Sequence, residues 1–412
     1  MLAQCLAGRR TGLRLHPAPW LGATVLCGAA LAPASLFGLG VALPDQDAFA
    51  TARGNAFVAT ADDPAAVYYN PAGISQLTGA NLSLGAYGID YGSSYKSGTT
   101  SVNSQTQLAV LPQLFSTYSL PEYHLTLGLG GYCPYGLRNE WPATEALIAS
   151  GFLAGGETGE IHYYTINPVV AWQVVPSISI AAGPTINYSQ ADLKEYPGFV
   201  NHFRGRDMDV GYNIGVLWHP SDPHSVGITY RSATDMNYSG HATVPAPPFT
   251  ANTGATANYH FPQTLAFGYS FRPTPKWNFE ADANWTDWTT LQGLTVKPQG
   301  APPETLAFNW DQSWMIDFGA TRYLGDGWRI SGGYMYSLNS VPSSSFNQLI
   351  PDSDRHIFSL GVGKKYQHFS WDAAYQLGWS PSRTVSGDAD VPANGTYEFL
   401  SHAISINLGY HF

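Results

Sequence analysis

The chain has 412 residues, a formal net charge of −10 and only 12% charged residues, set against 14% aromatics and 43 glycines. An average soluble domain carries about twice that share of charge, so a string of ordinary soluble domains is excluded despite the length. Mean hydropathy is −0.12, too polar for a bundle of membrane helices, and the acidic balance with scattered basic residues excludes nucleic acid as a partner.

Taken in chain order, Arg9, Arg10 and Arg14 precede an uncharged stretch from 15 to 44 with an apolar core at 20–32. Ala30-Leu31-Ala32 and Ala32-Pro33-Ala34 offer small residues to a signal peptidase, so 1–34 reads as a secretory signal peptide. The stretch is also long enough for a membrane anchor. Pro33 and the polar residues that follow favour cleavage. Leu26, in front of Cys27, argues against a lipoprotein. The only other cysteines are Cys5 and Cys133, which gives no disulfide framework and no metal spacing.

Residues 35–79 do not alternate. They are rich in small side chains and include Ala61-Asp62-Asp63 and Asn70-Pro71-Ala72-Gly73-Ile74. A segment of this size ahead of the first strand can fold inside a lumen as a plug.

From residue 80 the pattern has period two. Leu400, Ile404, Ile406, Leu408 and Tyr410 share one face, while Ser401, Ala403, Ser405 and Asn407 share the other. Fourteen such segments are expected near 80–90, 107–118, 122–133, 160–174, 177–190, 206–219, 224–239, 258–271, 276–290, 310–323, 327–337, 354–366, 369–380 and 399–412. A soluble sandwich would alternate too, but the connections sort by length. Short ones at 119–121, 175–176, 220–223, 272–275, 324–326 and 367–368 alternate with long ones such as 91–106, 134–159 and 338–353. Short turns at one end and long loops at the other define an outer-membrane barrel, the only sheet that satisfies every backbone group in lipid. Trp172, Trp218, Tyr230, Trp277, Trp310, Trp328, Trp379 and Tyr410 suit aromatic girdles, and the chain ends on Phe412. The expected fold is therefore all-β: a 14-stranded antiparallel transmembrane β-barrel over 80–412, plugged by an N-terminal hatch over 35–79.

The hatch sequence with Asn70, Pro71 and Ala72 resembles that of the FadL-type transporters of long-chain fatty acids and aromatic hydrocarbons. Residues 225–232 (SVGITYRS), 285–288 (WTDW) and 350–356 (IPDSDRH) resemble further segments of that family in the same order. The resemblance covers essentially all of 35–412. It implies a hydrophobic ligand bound between hatch and wall and released sideways at a kink in the third strand, and it implies a monomer in contact with outer-membrane lipid and lipopolysaccharide, inserted by the barrel assembly machinery. The third strand here runs into Cys133, Pro134, Tyr135 and Gly136, and the stretch through Leu137 resembles the family's kink. Read on its own, Pro134 either interrupts the strand or ends it at the outer rim.

Within 134–159, Pro142 stands near a helix start, and Leu147, Ile148, Phe152 and Leu153 would form an apolar capture face or else pack on neighbouring loops. A fatty carboxylate in a dry site needs a cation, for which Arg206, Arg231, Arg322 and Lys364 are candidates. Gln190 and Asp311 stand where the resemblance to the fatty-acid branch would place basic residues, which points to an uncharged ligand instead. There is no nucleophile elbow, zinc-protease helix or phosphate loop, so no enzyme, catalytic residue, cofactor or metal is expected. A structural or adhesive barrel that binds a partner through its outer loops is the alternative reading.

Overall fold

The structure, a computed structural model, describes residues 40–105, 108–152, 157–194, 200, 202–246, 249–387 and 393–412; the expected signal segment 1–34 and Leu153 lie outside them. Alternation of β-branched and aromatic residues with small polar ones makes strands whose two faces suit different solvents. Fourteen staves result, some interrupted. They are β1 (Ala80–Ser97), β2 (Ala109–Leu120), β3 (Leu125–Tyr132, resuming as Gly136–Glu140), β4 (Thr158–Val175), β5 (Ile178–Lys194), β6 (His202–Ser221) and β7 (His224–Arg231, then Thr234–Ala246). They continue as β8 (Phe249–Phe261, then Thr264–Thr274), β9 (Trp277–Thr286, then Gly293–Pro298), β10 (Glu304–Ala307, then Ser313–Tyr323), β11 (Trp328–Ser337), β12 (Arg355–Lys365), β13 (Phe369–Trp379) and β14 (Gly395–His411). Each pairs antiparallel with the next, and β1 pairs with β14 from Asn81↔His411 to Lys96↔Thr396, which closes the barrel.

Ile166, Val170, Ile214, Phe267, Leu360 and Ile404 point outward and are exposed, an apolar belt that only lipid can cover. Trp172, Trp218, Trp328, Trp379 and Tyr410 are exposed with them, as girdle residues should be. Trp310 departs from that expectation: it is buried against Trp288, with ring centroids 5.0 Å apart, in an aromatic cluster at the loop end. Several strands also run further than the hydrophobic pattern suggests. β6 begins at His202 rather than 206, and β8 begins at Phe249 rather than 258. Beyond the lipid the outer face is wet and carries polar residues such as Arg204 and Arg206, so pairing continues where hydrophobic alternation has stopped. At the other end, the start of the expected third strand is a tight helical turn, Pro121–Tyr123.

Residues 40–77 pack against the inner face of the wall. Asp47 caps a short helix, α1 (Ala48–Ala52), by accepting from Phe49 N at 2.7 Å and Ala50 N at 3.1 Å. A second helix, α2 (Ala66–Tyr69), leads into a 3₁₀ turn at Pro71–Gln76. Phe49, Phe57, Val67 and Ile74 are buried with Phe115, Tyr132 and Leu217 of the wall. Glycines on the inner face admit the hatch backbone: a Cβ on Gly227 would lie 2.1 Å from Val58 O, and one on Gly333 would lie 2.0 Å from Arg53 C.

Candidate functional site

Proline has no N–H to give a ladder, and the third stave fails where it meets one. On the β4 side, pairing holds at Tyr132↔Thr165 and resumes at Gly136↔His162, so 133–135 bulge against only two residues. On the β2 side, pairing stops at Leu114↔Gly131. The hatch takes the lost neighbour's place. Leu43 N donates to Pro134 O at 2.8 Å, Gly136 N to Val41 O at 2.9 Å, and the Gln46 amide nitrogen to Cys133 O at 2.8 Å. A single bridge, Ala42↔Tyr135, completes the graft. A narrow cleft is left in the wall, with Val110, Leu111 and Pro112 on one side and Cys133, Ile161 and Tyr164 on the other.

Inside this break lies a cavity of about 100 Å³ between hatch and wall. The hatch contributes Ala42, Pro44, Val58, Tyr68 and Tyr69, the break contributes Pro134 and Tyr135, and the wall contributes Arg231, Met315 and Asp317. Arg231 donates to Tyr132 Oη at 2.5 Å and to Tyr68 O at 3.2 Å, and lies 5.3 Å from the Tyr132 ring centroid and 4.9 Å from that of Tyr68. Among the described residues it has no carboxylate partner. Asp317 accepts from Asn284 at 2.6 Å, while its Oδ1 has no partner among the described residues. The other basic candidates sit elsewhere: Arg322 and Lys364 lie over Trp277 and Trp328, and Arg206 is exposed. Gln190 and Asp311 are exposed and do not line the cavity.

The hatch is held by wall carboxylates that the sequence reading missed. Glu280 accepts from Ala59 N at 2.6 Å, Thr60 N at 3.1 Å and the Arg53 guanidinium at 3.1 Å, and it also bonds the Thr60 hydroxyl. Asp282 accepts from Phe57 N at 2.8 Å and Val58 N at 2.9 Å. Arg329 grips Asp372 through two bonds of 2.8 and 2.6 Å and lies 3.5 Å from the Phe49 ring centroid. Beside this pair a polar cavity of about 430 Å³, lined by Asp47, Asp62, Asp63 and His411, lies under the hatch at the short-turn end. Burial pushes the Asp45 carboxyl up to about 6, against hydrogen bonds from Asn55 and Gln376. Burial, then the Asp372 carboxylate, raises Asp47 to about 6. Asp62 goes the other way, because Arg272 at 2.6 Å outweighs its burial. Charged residues on the inner face of alternating strands were the available signal for this latch.

Asn70 of the hatch motif is fully buried. Its amide nitrogen donates to Val58 O at 2.8 Å and to Val216 O at 3.0 Å, and its oxygen accepts from Ala72 N at 3.2 Å, capping the turn that begins at Pro71. At the loop end, a helix, α3 (Glu145–Ser150), is capped by Thr144 and stopped by Gly151. Of the residues expected to face outward from it, Ile148 is exposed, whereas Leu147 and Phe152 are buried with Trp141 and Tyr95. The loop around 348 ties this segment down: Trp141 Nε1 and the Asn139 amide both donate to Gln348 O, at 2.9 and 2.8 Å, and the Gln348 amide nitrogen donates to Phe152 O.

Comparison with known proteins places this architecture. A family profile described as "Outer membrane protein transport protein (OMPP1/FadL/TodX)" matches residues 25–412. The long-chain fatty acid transport protein of Salmonella typhi is 24% identical over 402 residues, covering 86% of this chain and 88% of that one. The crystal structure of a Pseudomonas aeruginosa FadL homologue superposes with a TM-score of 0.80 at 19% identity, over 90% of this chain and 100% of the other. That of the Pseudomonas putida toluene transporter TodX gives 0.70 at 14% identity, over 92% and 99%. The chain is an outer-membrane β-barrel and belongs to the OMPP1/FadL/TodX family of outer membrane transport proteins.

Proposed function

We propose that this barrel takes up a hydrophobic small molecule, a long-chain fatty acid or an aromatic or aliphatic hydrocarbon, holds it between hatch and wall, and releases it sideways into the membrane. The observation that carries the reading is the lapse of β2–β3 pairing beyond Gly131, beside a cavity that shares Tyr135 with the cleft. A barrel in lipid has no reason to leave an edge unpaired unless something passes there. The aromatic cluster of Trp141, Phe152, Trp288 and Trp310 forms an apolar floor beneath the outer loops, and Tyr135 belongs to the same cluster, so capture and cavity are contiguous. Ile148, exposed on the outer helix, offers an apolar contact to an arriving ligand. Arg231 supplies a cation for a ligand with an anionic end, since a buried guanidinium gains most from a carboxylate. The site is built from one chain, so a monomer suffices.

The test is to restore the ladder with the double variant Pro134→Thr, Gly136→Val, and to follow labelled oleate uptake in a host lacking its own long-chain fatty acid transporter. Uptake should fall to background while the barrel keeps its folded, heat-modifiable gel mobility. Unchanged uptake by a folded double variant would remove the lateral exit.

A further inference from the structure

The wall lapses a second time, between β6 and β7. These staves pair from Trp218↔Val226 up to Asn213↔Arg231, and again from Arg206↔Ser239 to His202↔Thr243. Between these stretches, 207–212 and 232–238 fall out of register with each other, although β7 stays fully paired to β8 from Thr234↔Phe261 onward. Side chains fill the seam. The Asp209 carboxylate accepts from Asp235 N and the Asp207 carboxylate from Asn237 N, both at 2.7 Å. The Ser232 hydroxyl accepts from Tyr212 N at 2.9 Å, and Ser232 N donates to Tyr212 O at 2.9 Å. A carboxylate standing between two backbones holds them further apart than the roughly 4.8 Å of a paired ladder. The seam therefore closes by swinging side chains, which open more readily than a continuous ladder.

Its lower end is Arg231, which also lines the cavity, and Ser232 is the next residue. The inner face is covered by Tyr163, whose hydroxyl meets the Thr234 hydroxyl at 2.8 Å, and by Met236, both in the aromatic cluster that reaches Tyr135. We infer that the β6–β7 seam is a second lateral opening from this cavity, selective for uncharged apolar molecules. The inference rests on the proposed binding in the cavity. Charge argues for the selectivity: Asp207 and Asp209 have no ion-pair partner among the described residues, so an anion drawn to Arg231 would have to pass two bare carboxylates, with Asp235 beyond them bound to His260 at 2.6 Å. The β2–β3 cleft has no acidic residue among its lining.

The experiment compares labelled toluene and labelled oleate uptake in wild type, in the Pro134→Thr, Gly136→Val variant, and in that variant carrying Asp209→Cys before and after reaction with a bulky maleimide. Wild type is the labelling control, since its Cys133 is buried. Sealing the first break should abolish oleate uptake yet leave a measurable part of toluene uptake, which persists in the unlabelled Asp209→Cys protein and disappears on labelling. Asp207→Cys serves the same purpose if Asp209→Cys fails to fold. Loss of both compounds on sealing the first break, or residual toluene uptake indifferent to the label at either position, overturns the second opening. A wild-type barrel that imports neither compound overturns the parent reading instead.

Discussion

Asp45 and Asp47 are carboxylic acids enclosed by the barrel wall, and each is raised to about 6 from an ordinary value of 3.8, chiefly by burial. The docked hatch therefore binds protons more tightly than a hatch released into water. Between pH 3.8 and 6 docking takes up protons, so its stability is fully present at the acid end and is lost as pH rises through 6. At about 1.4 kcal/mol per pH unit, each group can weaken docking at neutral pH by roughly 2–3 kcal/mol. Amide exchange over 45–60, corrected for intrinsic rates, should show more protection at pH 5 than at pH 7.5, and Asp45→Asn should flatten the difference. The reverse trend would mean that the hydrogen bonds from Asn55 and Gln376, rather than burial, set the balance at Asp45.

At the scale of the element, β9 does more than form wall. Its inner face places Glu280 and Asp282 two residues apart, and the two carboxylates take four consecutive hatch amides, Phe57 to Thr60. Removing Glu280 strands Arg53, which is fully buried, and a buried charge left without its partner costs about 3–5 kcal/mol. Glu280→Ala should thus undock the hatch and give noisy, open single-channel currents from a barrel of normal strand content. Glu280→Gln keeps acceptors for the amides and should be milder. Quiet, closed currents from Glu280→Ala would show that Arg329–Asp372 and the Asn70 cap hold the hatch alone.

The elements also show what a sequence can disclose. β1 to β14 were legible because each stave carries its own two-faced solvent problem, visible in adjacent residues such as Ile404, Ser405 and Ile406. The latch was not, because Glu280 and Ala59 are 221 residues apart and meet only once the barrel closes. The stops at 206 and 258 misplaced two strand starts, since hydrophobicity marks lipid contact and not hydrogen bonding. At Pro134 the chemistry of one residue announced that pairing would fail, but not that the hatch would supply the replacement bonds.

For the whole molecule, fourteen staves enclose more space than wall side chains can fill. Eight strands leave room only for side chains, whereas sixteen to eighteen leave a water channel, so a barrel between these limits needs a stopper. Two layers of packed side chains lie inside the barrel: hatch residues buried against the wall, and the cluster containing Trp141, Trp288 and Trp310 at the loop end. They are not independent: Val41 of the hatch is buried in the outer cluster, and Gly40 lies so close to Trp310 that a Cβ there would sit 2.6 Å from its ring. Deleting 40–77 therefore removes the stopper and the floor of the outer cluster together, while the ladder from Ala80 to His411 keeps all its backbone partners except those at 133–136. The deleted barrel should insert normally, conduct ions steadily and admit antibiotics too large for ordinary porins. If it inserts but stays tight to ions and drugs, the outer cluster seals the lumen alone. The hatch would then serve to shape the cavity beside Arg231 and to brace the broken third stave, and lateral release would depend on it more than closure does.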